Sequence, residues 1–133
     1  MARILLDDLR IDVNQGDQDK DTALHIAARD GHVMNVEYLL KDTRTDPNLP
    51  NNSLWAPLHL ALLGMQEDAV RVLVQDRRVD INVHGWNGET PLHLAIQEGL
   101  AGIVRCLLGR PEIVVDSKTG VGKMALELAS PRG

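Results

Sequence analysis

An all-α solenoid, made of stacked helix-turn-helix units joined by β-turn or hairpin loops, is the fold class that the sequence predicts, and three observations predict it. Near-copies of one hexapeptide, TALHIA (22–27), APLHLA (56–61) and TPLHLA (90–95), set His25, His59 and His93 at equal steps of 34 residues. The segments LLDDLRIDVN (5–14), LLKDTRTDPN (39–48), LVQDRRVDIN (73–82) and LLGRPEIVVD (107–116) keep the same step. Self-similarity of this period in a short chain marks a repeat architecture. The third observation is composition. The 133 residues include no Phe, two Trp and one Tyr, so core volume must come from Leu, Val, Ile and Ala, which suits thin repeated layers better than one large centre.

The elements follow in order. Residues 1–11 form a partial unit, in which Ile4, Leu5 and Leu6 read as the tail of a second helix. Full units follow at 12–45, 46–79 and 80–113, and a partial unit at 114–133 stops after one helix, Met124 to Ser130. Each full unit opens on Asp-x-Asn and a polar stretch (DVNQGDQDKD, DPNLPNNSLW, DINVHGWNGE), which reads as a turn or short hairpin. A first helix begins at Thr-Pro-Leu-His. Thr90 suits the N-cap, where its hydroxyl accepts from an orphan N–H, and Pro91 suits the first helical position, whose N–H has no partner. This helix ends near Gly31 or Gly99. Val33, Val36, Leu39 and Leu40 then give the apolar stripe of a second helix. Neither helix can bury its stripe alone, so units must stack.

The period, TPLHLA, DGHV (30–33), VEYLL (36–40) and the Asp-x-Asn turns resemble the ankyrin repeat. The resemblance covers residues 12–113 as three full units. One residue more than the usual repeat falls between the second helix and the next turn (KDTRT, QDRRV, GRPEI), where a loop absorbs it at little cost. The middle unit departs from the pattern: Ala56 replaces the capping Thr, and Gly64 comes one place early with Met65 where Gly31 and Gly99 stand. That puts its helix-to-helix turn in question. Asn35 and Glu67 occupy stripe positions and are expected at the edge of the packing.

Repeat stacking also decides what the histidines do. Neighbouring helices pack about 8 to 10 Å apart, whereas ligands of one zinc ion must all lie within about 2 Å of it. Each imidazole instead sits at the third helical position, within reach of the N-cap hydroxyl and of a neighbouring carbonyl. Thr22, His25, His59, Thr90 and His93 are therefore expected to be structural, a use the resemblance also implies. Glu127 holds the equivalent place in the last partial unit.

Other motifs fall short of chemistry. Asp17, Asp19 and Asp21 alternate like an EF-hand loop, but Thr22 and Ala28 occupy the places of its Gly and bidentate Glu. TGVGK (119–123) has one residue between its glycines instead of four, and Met124 follows the Lys. His32 and His84 stand singly and read as surface residues. Cys106 aligns with Tyr38 and Val72 and reads as a small core residue. Ser53, Ser117 and Ser130 lie in no nucleophile motif. No catalytic set, metal site or cofactor is expected.

What the resemblance implies is a non-catalytic protein-protein interaction module that binds on its concave face and hairpin tips. Carried over unit by unit, its contact positions are Gln18, Asp19, Asp21, Arg29 and Asp30; then Asn52, Ser53, Trp55 and Leu63; then Trp86, Asn87, Glu89, Gln97 and Glu98; and Val121 and Lys123 at the end. Trp55 and Trp86 can each anchor a partner or lie flat over a neighbouring turn. With Asp17, Asp19, Asp21 and Asp30 at one end, the expected partner is a protein or peptide of basic and apolar character. A net charge of −5 argues against nucleic acid. No apolar run is long enough for a membrane span, and one cysteine closes no internal disulfide. An intracellular monomer, in cytoplasm or nucleus, is the expectation. Two other readings stay open: a structural or sensor segment of a larger multidomain signalling protein, and self-association through apolar end units.

Overall fold

Asp-x-Asn opens each unit because the aspartate turns the chain and the asparagine ties it to the next unit. In a computed structural model, which describes residues 12–113, the Asp12 carboxylate accepts from Asn14 N–H at 3.0 Å. Asp46 and Asp80 do the same for Asn48 and Asn82. Each asparagine amide then reaches the loop that closes its own unit, and those of Asn14 and Asn48 also meet the first residue of the next. Asn14 donates to the Arg44 carbonyl at 2.8 Å and accepts from Asp46 N–H at 2.7 Å. Asn48 repeats both bonds with Arg78 and Asp80, and Asn82 donates to the Glu112 carbonyl. Among the described residues, loop backbone that would otherwise lack partners is thereby paired from one loop to the next. The flanking partial units, with Val121, Lys123, Glu127 and the expected helix from Met124, lie outside the described residues.

Helices α1 (Ala23–Asp30), α3 (Pro57–Leu63) and α5 (Pro91–Gln97) are the first helices of the three units; α2 (Val33–Lys41), α4 (Glu67–Gln75) and α6 (Ala101–Leu108) are the second. One short 3₁₀ turn, Trp86–Gly88, precedes α5, and no strand occurs among the described residues. First helices pack on first helices and second on second, so two rows run side by side. Between them lie Leu24, Leu39, Leu58, Leu62, Leu73, Ile81, Leu92, Leu94, Ile103 and Leu107, all fully buried. The stack is the all-α solenoid expected of the pattern. Asn35 and Glu67 are exposed at its edge.

Caps set where the first helices start. Thr22 and Thr90 hold extended backbone, and their hydroxyls accept from His25 and His93 N–H at 3.3 Å. Ala56 has the same backbone, φ −79° and ψ 165°, but no acceptor. Its position is buried, as are those of Thr22 and Thr90, so the fold already has a shape for threonine there. Ala56→Thr should stabilise the domain by about 1 kcal/mol, read as a higher urea midpoint; a lower midpoint would show that the middle unit has closed over the smaller side chain.

The helix-to-helix turn of the middle unit keeps the form of its neighbours. Met65 takes φ +57°, the left-handed conformation that Gly31 (+74°) and Gly99 (+72°) take with less strain. Packing of α3 and α4 on adjacent units overrides the local preference. Cys106 corrects the sequence reading: it is exposed. The inward stripe of α6 runs through Ile103 and Leu107, which are fully buried, and Cys106 is turned about 100° from Leu107.

The loops after the second helices carry the arginines. Asp42 pairs with Arg44 at 2.7 Å and Asp76 with Arg78 at 3.0 Å. The Arg78 guanidinium also donates to the carbonyls of Leu40 and Thr45, closing the end of α2. At the third loop the charges are exchanged, Arg110 preceding Glu112, and Arg110 donates to the Val74 carbonyl.

Candidate functional site

The recurring Thr and His of the interior are engaged in hydrogen bonds that cap the first helices and, at His25 and His59, join one unit to the next. His25 Nδ1 accepts from Thr22 N–H at 3.0 Å, and its Nε2 donates to the Trp55 carbonyl of the next unit at 3.0 Å. His59 accepts from Ala56 N–H at 3.0 Å and faces the carbonyls of Val83 and Glu89 at 3.0 and 3.2 Å. His93 accepts from Thr90 N–H at 3.2 Å. This pattern requires the neutral ring with its proton on Nε2. Burial lowers the pKa of His25 and pushes that of His59 down to about 4, against the raising pull of the carbonyls each ring meets. Among the described residues no buried side-chain polar atom lacks a hydrogen-bond partner.

In the first tip Asp17 Oδ1 accepts from the N–H groups of Asp19 and Asp21, at 2.9 and 3.0 Å. Asn51, one period later, does the same for Ser53 and Trp55. The two tips are joined directly: Asn52 N–H donates to the Asp19 carbonyl at 2.8 Å, and its amide to the Gln18 carbonyl at 3.1 Å. Asp21 is buried, accepting from the Asn51 amide at 2.8 Å and lying 3.6 Å from Arg29. Its carboxylate is turned into the fold, so it joins tips and offers little to a partner. The carboxylates of Asp17, Asp19 and Asp21 lie within 4.8 Å of one another, and the turn's own N–H groups and the Asn51 amide account for that approach.

The other positions divide by exposure. Gln18, Asp19, Arg29, Asp30, Asn52, Ser53, Leu63, Trp86 and Gln97 are exposed, and Glu89 and Glu98 are half-buried. Arg29 leans on Asp30 at 3.4 Å, and the Gln97 amide donates to Glu89 at 2.8 Å. Asn87 lies in the 3₁₀ turn beside Trp86. The two tryptophans differ. Trp55 is half-buried, its ring centred 5.1 Å from that of His59 and lying over Gly85, where a Cβ would come within 2.4 Å of Trp55 Cε3. It covers the neighbouring turn. Trp86 is 58% exposed.

Leu54 is the tip residue that the carried-over positions missed. It is 54% exposed, with a left-handed φ of +66°. A signal was present in the repeat alignment: Leu54 stands one period from Lys20 and Gly88, a place where the other units carry nothing bulky and apolar.

Charge is distributed unevenly between the two rows. The tips and first helices carry Asp17, Asp19, Asp30, Glu89 and Glu98 against Lys20 and Arg29. On the second helices and the loops after them, Lys41, Arg44, Arg71, Arg77, Arg78, Arg105 and Arg110 stand against Glu37, Asp42, Glu67, Asp68, Asp76 and Glu112, a near balance. Among the described residues no helix is long and apolar enough to cross a membrane. A family model described as ankyrin repeats (3 copies) matches residues 1–85 and again residues 43–119. No curated protein compared with the chain matches it.

Proposed function

The chain belongs to the ankyrin repeat family, and from that premise we propose that it is a non-catalytic module that binds a partner protein or peptide across its tips and first helices. The observation that carries this reading is the separation of roles within each unit. The interior histidines and threonines are consumed in capping the first helices, and His25 and His59 also in bonds to the next unit, whereas the tip and first-helix side leaves carboxylates and a large aromatic ring open to solvent. Such a side favours a partner with basic and apolar character, since charge complementarity steers association and a desolvated ring supplies much of the affinity. Gln18, Asp19, Arg29, Asp30, Asn52, Ser53, Leu63, Trp86, Asn87, Glu89, Gln97 and Glu98 are the residues proposed to meet it. The module acts in this reading as a single copy.

The test compares two variants of opposite faces. Asp19→Lys with Asp30→Lys reverses charge on the proposed side; Arg77→Glu with Arg105→Glu changes it on the opposite row, in the loop after α4 and on α6. A protein retained from cell extract by the native chain should bind at least tenfold more weakly to the first variant and undiminished to the second. Equal retention by both variants would refute the face.

A further inference from the structure

Building on that reading of the face, we propose that its anchor is the pair of adjoining tips bearing Leu54 and Trp86, and that the partner is a linear segment with one bulky apolar side chain about three residues from a lysine or arginine.

The two residues flank one contact between tips. Leu54 precedes Trp55 and Trp86 follows Gly85, and the Trp55 ring rests on Gly85. Leu54 and Trp86, each next in sequence to one member of that contact, thus stand on adjoining tips, both more than half open to solvent. Trp55 is thus the floor and not the hook.

Leu54 keeps more than half of its surface in solvent. Its backbone is left-handed at +66°, as at Lys20 (+62°) and Gly88 (+74°), and a leucine there carries the strain while only partly covered. Met65 shares that backbone and exposure at a turn between packed helices, whereas Leu54 stands on a tip, where contact with something outside the chain accounts for the exposed apolar group. On the other side of this pair the first tip supplies charge. Asp17 and Asp19 are exposed there beside Lys20, and the bonds from Asn52 to Gln18 and Asp19 fix that tip against the one bearing Leu54. Carboxylates one unit away from an apolar pair call for a cation at the matching distance. Units stack at roughly 10 Å, which an extended peptide spans in about three residues. The arginines of the second helices and their loops lie on the other row and do not compete for those carboxylates.

A random dodecapeptide display library selected on the full chain tests the proposal. Enriched peptides should pair Leu, Met or Phe with Lys or Arg about three residues away. Binding of the best synthetic peptide should fall roughly tenfold with Trp86→Ala and with Leu54→Gly, while Leu54→Gly raises Tm by about 3 °C through relief of the left-handed leucine. A leucine with a merely structural role would lower Tm instead. Asp17→Asn with Asp19→Asn keeps the turn acceptors and should weaken the peptide at low salt only.

Peptides that survive Leu54→Gly and Trp86→Ala but are lost with Asp19→Lys and Asp30→Lys would overturn this anchor and leave the broader face standing. Peptides indifferent to all these changes would remove both. A library that enriches nothing, or a concentration-dependent dimer abolished by Leu54→Lys, would overturn the linear partner, in the second case in favour of a second copy of this chain.

Discussion

His59→Ala should destabilise the domain by about 4 kcal/mol. The ring is fully buried, so its removal leaves a cavity, and it strips the partner from Ala56 N–H and from the carbonyls of Val83 and Glu89 at once. Buried groups left without partners cost about 1 to 3 kcal/mol each before relaxation. The loss is larger than for an ordinary core truncation because two units are released from each other. Urea unfolding measures it, with His32→Ala as the contrast. His32 is exposed and makes no side-chain cap bond at the start of α2, so that change should stay within about 0.5 kcal/mol. A His59→Ala loss below about 1 kcal/mol would contradict the role given to the ring.

Mild acid should weaken the fold through the same rings. An ordinary histidine protonates near 6.5, and burial holds folded His59 neutral down to about 4, with His25 lowered also. Because the folded pKa is depressed, the unfolded chain takes up the proton first. Stability is complete above 6.5 and is lost as pH falls from there to 4, at about 1.4 kcal/mol per pH unit for each fully responding ring. Between pH 7.5 and pH 4.5 His59 alone should remove about 2.5 kcal/mol. The carboxylates act lower. Hydrogen bonds from Arg44 hold Asp42 at about 2, so its contribution is present above 3.8 and disappears only as pH drops towards 2. Asp76 is likewise lowered, its burial pulling upward but outweighed by the bonds from Arg78. Urea titrations of the native chain and His59→Gln at both pH values separate the contributions: the variant should lose much of the difference, and a native chain equally stable at both would exclude a neutral peg.

The repeat itself was legible because stacking demands it. A helix pair that cannot bury its own stripe must meet a copy of itself, and that requirement writes the same apolar and capping residues at every step. The histidine bonds were legible for a related reason: position three of a helix fixes where an imidazole can reach. The surface was less so. Whether Trp55 lies flat depends on Gly85, 30 residues away, and a carried-over set of contact positions contains no information about that pairing. Asp21 looked like an exposed tip residue, yet Asn51 from the next unit draws it inward. Leu54 escaped because contact positions were taken from a general pattern, whereas its distinction is a departure from its two sisters. Cys106 was placed in the core by alignment with Tyr38 and Val72, which are themselves only half-buried. Alignment fixes the direction of a side chain and leaves open how much of it is covered.

The exchanged pair Arg110 and Glu112 has a consequence for how such a chain can lengthen or shorten over generations. Val74 stands 34 residues after Leu40, and each carbonyl receives a guanidinium from the loop of the following unit, by way of Asp-x-Arg in one case and Arg-x-Glu in the other. Excising residues 46–79 would bring Arg110 to the carbonyl of Leu40 and leave the seam closed. Duplicating the same stretch would deliver another Asp-x-Arg to it. Gene rearrangements in whole periods can thus pass without a broken joint, and the array's length is free to drift while its individual joints are kept.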